Sequence, residues 1–236
     1  MRIAIVTDAW APQVNGVVRT LQAVRAELER AGHAVLIVAP DQFASLPCPT
    51  YPEIRLAMAR TERVGAMLAA FAPDAIHLAT EGPLCLAARR WCLRHGLAFT
   101  TAYHTQFPDY VARRTGMPAE WVWRYIRWFH APASGVLAST PSIRRLLASH
   151  GITALRHWGR GVDLGCFTPD APPPALYAGL PRPIQLYVGR IAVEKNVEAF
   201  LCAPAPGSKV VVGEGPARAA LEARHPAAHF TGALAG

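Results

Sequence analysis

The chain has 236 residues, of which 52% are hydrophobic and 17% charged, so it can bury the core of one large domain or two small ones and does not have a disordered composition. Its formal net charge of +8 suits anionic partners such as nucleotide phosphates, nucleic acid or an acidic membrane surface. No apolar run approaches the roughly 20 residues of a membrane-spanning helix, and the opening residues lack the pattern of a secretory signal, so we expect a cytoplasmic protein.

Short apolar runs rich in Ile and Val alternate with longer amphipathic segments, which is the pattern of parallel strands joined by crossover helices. The predicted strands cover residues 3–6, 34–39, 53–56, 75–78, 98–103, 135–138 and 154–157. The predicted helices cover residues 17–31, 61–71, 83–95, 118–130 and 141–149, and three of them begin with a proline suited to the first helical position. Residues 1–157 are therefore predicted to form one complete Rossmann-like α/β domain.

The segment 158–183 is rich in glycine and proline and is predicted to be an interdomain linker. A second α/β series follows in residues 184–236. Its predicted strands are 184–188, 209–212 and 228–230, and its predicted helices are 194–201 and 216–223. These elements are too few to close a core as large as that of the first domain, so they predict the first part of a second Rossmann-like domain.

Five cysteines are scattered along the chain without a Cys-x-x-Cys pair, so they indicate neither a zinc nor a redox site. We predict that all five are free thiols: Cys48, Cys85, Cys92, Cys166 and Cys202.

The first strand leads into a loop in which Asn15 and Gly16 precede the first helix. A glycine there lets backbone approach a phosphate or a sugar, and a helix start offers N–H donors. An ordinary strand-to-helix turn explains the same two residues equally well, so both interpretations stay open.

His104 follows a predicted strand at its carboxyl end, where open α/β sheets bind their ligands. It is a candidate to hydrogen-bond a sugar hydroxyl or a developing charge, or else it merely ends the strand. Asp8 and Asp109 are the candidate carboxylates that could orient its ring, but their spacing does not place either beside it.

Gly189 and Arg190 end a predicted strand, and Lys195 lies five residues after Arg190 at the start of a predicted helix. Arg190 suits a bidentate grip on phosphate oxygens, Lys195 supplies a point charge, and free helix N–H groups would point to the same spot. This arrangement is suited to holding a diphosphate. Two further glycines repeat the pattern after the next strand and favour a ligand site over a pair of solvated cations: Gly213 and Gly215.

The helix predicted at residues 118–130 is rich in aromatic residues and carries two arginines. Its helical projection predicts an aromatic face of Trp121, Tyr125, Trp128 and Phe129 and an opposite flank of Arg124 and Arg127. Such a helix either packs against the sheet or makes an interfacial contact with an anionic membrane or an acceptor.

Several segments, in order, resemble the landmarks of the retaining glycosyltransferases of family four, which have the two-lobed GT-B fold. The segments are RIAIVTDAWAPQVNGVVRTL, AYHTQFPDY, GRGVD, VGRIAVEKN, VVGEGP and FTGAL. Within that family the N-terminal sequence is most similar to that of bacterial GDP-mannose-dependent mannosyltransferases and related enzymes that glycosylate lipids.

The resemblance implies transfer of a hexose, with mannose favoured, from a nucleotide-sugar donor such as GDP-mannose or a UDP-sugar to a lipid or glycan acceptor. By this analogy Arg190 and Lys195 would neutralise the donor diphosphate, Gly16 would approach the donor, and His104 would contact the transferred sugar as the catalytic residue. The donor is a substrate, so the resemblance implies no resident cofactor and no metal. Location at the inner face of the cytoplasmic membrane would follow from a lipid acceptor.

Enzymes of this family carry two glutamates seven residues apart later in the second lobe, and the sequence stops at Gly236 before that region. We therefore expect impaired turnover from a truncated chain. The alternative hypothesis is a non-catalytic module that binds an acceptor or a membrane. An epimerase function is less well supported, because the sequence lacks the carboxylate and histidine clusters that such enzymes need. Binding to nucleic acid is not predicted, because the basic residues are dispersed along the chain.

Overall fold

A computed structural model describes residues 1–13, 15–48, 51–104, 118–159 and 161–234. The Cα positions divide the chain into two compact units, Met1–Arg160 and Gly161–Gly236, so residues 161–183 of the predicted linker are grouped with the second unit. Within the described ranges, no helix is both long and apolar enough to cross a membrane.

The first unit is built on a six-stranded, fully parallel sheet of order β2-β1-β5-β6-β7-β8. Its strands are β1 (Arg2–Val6), β2 (Ala34–Val38), β5 (Ala75–Leu78), β6 (Thr100–Ala102), β7 (Gly135–Ala138) and β8 (Leu155–His157). The strand order reverses between β1 and β5, and open α/β sheets form their ligand crevice outside the carboxyl ends of the strands at such a point. The predicted α/β fold class is confirmed.

The strands β1 and β7 are largely buried and mostly apolar, as expected for strands of a parallel sheet that is covered on both faces. Ala4 and Val6 of β1 belong to one core cluster, whereas Ile5, between them, belongs to the other. Successive side chains of a strand point to opposite faces, so this alternation places helices on both sides of the sheet.

Five helices of the first unit are described: α1 (Gly16–Arg30), α2 (Thr61–Phe71), α3 (Pro83–Arg94), α4 (Ala119–His130) and α5 (Pro141–Ser149). Pro83 and Pro141 occupy the first helical position as predicted. Pro118 does not, because it adopts φ −56° and ψ 127° and is the residue before the first turn of α4.

One predicted strand, 53–56, does not join the parallel sheet. It lies within β4 (Tyr51–Ala57), which pairs antiparallel with β3 (Ser45–Cys48) as a separate hairpin. The sequence did not predict β3, because Pro47 interrupts its apolar pattern and proline is depleted in strands.

The second unit contains a three-stranded parallel sheet of order β11-β10-β9, formed by β9 (Ile184–Val188), β10 (Ser208–Val212) and β11 (His229–Gly232). Two short helices, α6 (Val197–Cys202) and α7 (Arg218–Arg224), connect these strands. They cover a small core formed by Ile191, Val197, Leu201, Val211 and Leu221.

The helix predicted to start at residue 194 begins later. Val193–Lys195 form a single 3-10 turn, and Asn196 then adopts the left-handed conformation with φ 48° before α6 starts. A left-handed residue interrupts the helical hydrogen-bond ladder, so Lys195 precedes α6 instead of lying in its first turn.

Candidate functional site

A narrow cavity of about 10 Å³ opens at the carboxyl ends of three neighbouring strands of the first unit. Its lining residues come from α1 and from the ends of β6, β7 and β8: Thr20, Tyr103, His104, Leu137, Ser139 and Trp158. His104 therefore lies at the carboxyl edge of the sheet, as expected from its place directly after a predicted strand.

His104 is part of an aromatic cluster with Trp158 and His77. The centroid of the Trp158 ring lies 5.3 Å from that of His104 and 5.7 Å from that of His77, with both imidazoles in edge arrangements. The sequence did not single out Trp158, because it was assigned to the beginning of the predicted linker. Its position directly after β8, at the same edge as His104, is the signal that would have found it.

His77 is a half-buried member of this cluster, and its Nε2 atom is buried. Its Nδ1 atom lies 2.9 Å from the Thr100 hydroxyl, and burial, followed by the charge of His104, lowers the pKa of His77 to about 4. The His77 ring is therefore neutral near neutral pH and can support Trp158 without adding a positive charge beneath the cavity.

The Asp8 carboxylate caps the N-terminus of α3. It accepts hydrogen bonds from the backbone N–H groups of Leu84 at 2.8 Å and Cys85 at 3.3 Å, and from the Thr80 hydroxyl at 2.9 Å. Burial raises the pKa of Asp8, while these hydrogen bonds oppose the rise. Asp8 thus has a structural role in joining β1 to α3, and Asp109 lies outside the described residues.

Asn15 is the N-cap residue of α1. Its side-chain oxygen accepts hydrogen bonds from the backbone N–H groups of Val17 and Val18, both at 3.0 Å. Gly16 begins the helix, and its carbonyl oxygen accepts a hydrogen bond from the hydroxyl of Thr20 at 2.7 Å. Because Thr20 also lines the cavity, the first turn of α1 lies beside His104.

In the second unit, the glycine loops after β9 and β10 lie against each other. A Cβ atom on Gly213 would lie 1.9 Å from the Gly189 carbonyl oxygen, and one on Gly215 would lie 2.1 Å from the Ile191 carbonyl oxygen. Gly189 donates to Val212, and Ile191 donates to Glu214, through backbone hydrogen bonds of 3.0 and 2.9 Å. These glycines are needed for close backbone packing, which fixes the shape of both loops.

The two cations that the sequence predicts to bind phosphate lie in the segment directly after Gly189. Arg190 comes directly after Gly189 and is half-buried, and its backbone carbonyl accepts a 3.0 Å hydrogen bond from the Tyr187 hydroxyl. Lys195 is exposed at the end of the 3-10 turn. Arg190 is thus anchored through its backbone at the carboxyl edge of the second sheet, whereas Lys195 projects from a turn.

The aromatic helix α4 differs from its predicted projection. Trp121 and Trp128 are 65% and 47% exposed, and the exposed Arg124 lies between them on the same face. Phe129 is buried with Trp123 and Ile126, so it does not belong to the exposed aromatic face. The prediction that Arg124 lies opposite the tryptophans was wrong, because 100° per residue places it within 60° of both.

Two other members of the predicted contact surface are engaged elsewhere. The half-buried Tyr125 donates a 2.6 Å hydrogen bond to the backbone carbonyl of Glu81, and Arg127 pairs with Glu120 at 2.8 Å. The exposed face of α4 is therefore formed by Trp121, Arg124 and Trp128, with the exposed Glu120 beside Arg124.

The parallel sheets, the crossover helices and the glycine loops define an α/β protein with Rossmann-like units. The family model for Glycosyltransferase Family 4 matches residues 14–165. The chain therefore belongs to glycosyltransferase family 4 and is a hexosyltransferase by descent.

Two curated relatives match along the whole of this chain. It is 33% identical to the GDP-mannose-dependent alpha-mannosyltransferase of Mycolicibacterium smegmatis and covers 69% of that protein. It is 32% identical to the protein of the same name from Mycobacterium tuberculosis and covers 68% of it. The chain is thus shorter than these relatives.

A solved structure supports the GT-B-like fold. The sucrose-phosphate synthase from Thermosynechococcus elongatus superimposes with a TM-score of 0.72 at 18% identity, over 99% of this chain and 70% of that one. At this identity the similarity establishes the fold alone.

Proposed function

We propose that the protein transfers a hexose, with mannose favoured, from a nucleotide diphosphate sugar to a lipid or glycan acceptor with retention of configuration. The observation that carries the proposal is the 33% identity, over the whole chain, to a GDP-mannose-dependent alpha-mannosyltransferase. The proposal is supported further by the closely packed glycine loops at the carboxyl edge of the second sheet and by the position of His104 at the carboxyl edge of the first.

In the proposed reaction, Arg190 and Lys195 bind the donor diphosphate. The nucleotide leaves as a diphosphate anion, so cations at this place favour the transition state more than the ground state. In this proposal, side chains supply the positive charge that the leaving diphosphate needs. The nucleotide sugar is a substrate, and the proposed site uses no resident cofactor or metal.

The donor proposal is tested by measuring the affinity of the 236-residue chain for GDP and UDP by calorimetry, in buffer containing EDTA. We expect Arg190→Ala and Lys195→Ala each to weaken binding by about tenfold or more, because each removes a charge-assisted contact worth about 1.5–3 kcal/mol. Arg182→Ala is the matched control, since Arg182 is an exposed arginine that precedes β9 at the other end of the strand. Equal affinities for all four proteins would contradict the donor assignment.

His104 is proposed to contact the transferred sugar at the cavity of the first unit. We expect His104→Gln to reduce turnover of GDP-mannose by about 100-fold while the affinity for GDP stays the same, because the contact is made with the reacting sugar. His157→Gln is the control, since His157 is an exposed histidine at the end of β8, in the same sheet. The anomeric configuration of the product, read by NMR, tests retention.

The acceptor is proposed to be a lipid at an anionic membrane surface, bound through Trp121, Arg124 and Trp128. Exposed tryptophans beside a cation are suited to the headgroup region of a bilayer. An open depression of about 370 Å³ lies beside this surface and is bordered by Arg127 and Trp128. It offers space next to the proposed contact.

Membrane docking is tested by co-sedimentation with phosphatidylglycerol vesicles at low salt. We expect a variant with both Trp121→Ser and Trp128→Ser to lose binding, and Arg124→Gln to weaken it by about 1 kcal/mol. The control is Leu164→Ser, which removes an exposed apolar side chain of the second unit. Unchanged sedimentation of the double variant would exclude this surface.

A further inference from the structure

Three metal-ligating side chains meet in the second unit, away from the glycine loops. One nitrogen of His225, the Sγ atom of Cys202 and one carboxylate oxygen of Glu198 lie within 4.8 Å of one another. We propose that this triad binds a single zinc ion, or another transition metal of similar preference, through one thiolate, one imidazole and one carboxylate.

The local sequence explains why these three groups converge. Glu198 and Cys202 are four residues apart on α6, so they lie on the same face of the helix. His225 follows the last residue of α7 and places its Nε2 atom 3.8 Å from the Glu198 carboxylate. Two helices that are separate in sequence thus contribute ligands to one place.

The environment of His225 points to a missing partner. Its Nε2 atom is buried, and among the described residues it has no hydrogen-bond partner. A buried polar atom without a partner is costly, and an imidazole nitrogen is a common metal ligand. A metal ion at the triad would satisfy this atom.

The chemistry of the three ligands favours zinc. Zinc binds cysteine, histidine and glutamate at about 2.0–2.3 Å, so two ligands on one tetrahedral ion lie roughly 3.5 Å apart. The 3.8 Å between His225 and Glu198 is already close to this value, and a limit of 4.8 Å leaves about 1 Å of side-chain movement for the other pairs. A water molecule would complete the coordination.

Arg224 is the charged group that binds closest to the triad, because its guanidinium pairs with an oxygen of the Glu198 carboxylate. That oxygen is also the one that lies 3.8 Å from the His225 Nε2 atom, so metal binding requires either that Arg224 releases it or that the carboxylate turns its second oxygen to the metal.

The site lies at the opposite end of the sheet from the proposed diphosphate site. The Lys209 ammonium, in the second residue of β10, donates hydrogen bonds to the carbonyls of Leu201 and Ala203, which places the end of α6 beside the beginning of β10. The glycine loops instead follow the carboxyl ends of β9 and β10. The ion would therefore join α6 to α7 and stabilise the second unit, without taking part in sugar transfer.

The test is titration of the reduced, metal-free 236-residue chain with Co²⁺, followed by displacement with Zn²⁺. We expect one Co²⁺ per chain, a thiolate-to-metal charge-transfer band that Zn²⁺ abolishes, and a higher melting temperature with the metal. Cys202→Ser should abolish the band and weaken binding by more than about tenfold, and His225→Gln and Glu198→Gln should weaken it comparably.

Two matched controls separate the triad from adventitious binding. Cys166→Ser removes another exposed cysteine of the second unit, and His229→Gln removes an exposed histidine four residues after His225. Both should bind Co²⁺ as the unmodified chain does. The proposal is overturned if the unmodified chain binds no Co²⁺ with a thiolate band, or if Cys202→Ser keeps that band.

Discussion

The carboxyl edges of the two sheets are built in different ways. In the first unit, side chains determine the edge: the buried Asp8 caps α3, and the half-buried rings of His77 and His104 contact Trp158. In the second unit, backbone packing determines it, since Gly213 lies where a Cβ atom would overlap the Gly189 carbonyl. One edge depends on the identity of polar and aromatic side chains, and the other depends on the absence of side chains.

The difference is suited to the different partners proposed for the two edges. A diphosphate is bound by charges and N–H groups on a rigid backbone, so close-packed glycine loops with cations beside them are sufficient. A sugar is recognised by shaped contacts with aromatic and hydrogen-bonding side chains, and these require a supporting layer beneath them. His77 and Thr100 provide such a layer beneath Trp158.

The largest expected effect is that of Gly213→Ala on the second unit. The new Cβ atom would lie 1.9 Å from a backbone oxygen that cannot move freely, and the φ of +149° is rarely adopted by alanine. We expect the second unit to lose about 3 kcal/mol or more of unfolding free energy, measured by hydrogen exchange of the β9 and β10 amides.

Two features make this prediction specific. Gly161→Ala is the matched control, because a Cβ atom there meets nothing within 4 Å. All six tryptophans lie in the first unit, so the tryptophan-detected transition should not change in Gly213→Ala. Normal protection of β9 and β10 in Gly213→Ala would show that the loops tolerate a side chain and that the comparison between the two edges is wrong.

The next largest effect is that the unfolding free energy of the first unit depends on pH, because of His77. Its pKa is about 4 in the folded protein and 6.5 in an unfolded chain, so between these values the unfolded chain binds a proton that the folded protein does not. Unfolding free energy should therefore fall as the pH falls from about 6.5 to about 4. A difference of about 2.5 pKa units corresponds to about 3 kcal/mol.

Urea unfolding followed by tryptophan fluorescence at several pH values between 4 and 7 measures this dependence. His77→Gln should lose about 3 kcal/mol less than the unmodified protein over that range, whereas the exposed-site control His157→Gln should follow the unmodified protein. Parallel curves for His77→Gln and the unmodified protein would mean that His77 is not buried as described.

A smaller effect distinguishes the two interpretations of Asn15. Its side chain accepts two backbone hydrogen bonds at the start of α1, so Asn15→Ala should cost about 1 kcal/mol of unfolding free energy. Asn15→Ser should restore most of it, because serine is also a good N-cap residue. If Asn15→Ser restores stability but GDP-mannose turnover stays low, Asn15 also contacts the substrate.

The parts of this fold that could be predicted from the sequence depend on short-range patterns. Apolar runs between amphipathic segments predicted the parallel strands, and the position of His104 after β6 predicted its place at the ligand edge. Both follow from rules that connect a residue only with its own strand or helix.

The parts that could not be predicted depend on contacts between distant segments. The close packing of Gly213 and Gly215 against the carbonyls of Gly189 and Ile191, more than 20 residues earlier, could not be predicted from the sequence. The capping of α3 by Asp8, 76 residues before Leu84, is equally invisible in the sequence. The left-handed conformation of Asn196 could be predicted only in part. Asparagine adopts it more often than most residues, but it does so at only a minority of positions.

The smallest expected effect connects the proposed catalytic residue to the layer beneath it. The charge of His104 is the second cause, after burial, of the low pKa of His77. Removing that charge in His104→Gln should therefore raise the pKa of His77 and leave it below 6.5, because burial is unchanged. NMR titration of the His77 ring protons measures the shift, and His157→Gln should leave it unaltered. An unchanged pKa in His104→Gln would show that the two imidazoles are electrostatically independent, and the first unit's edge would then consist of separate contacts with Trp158 instead of one coupled cluster.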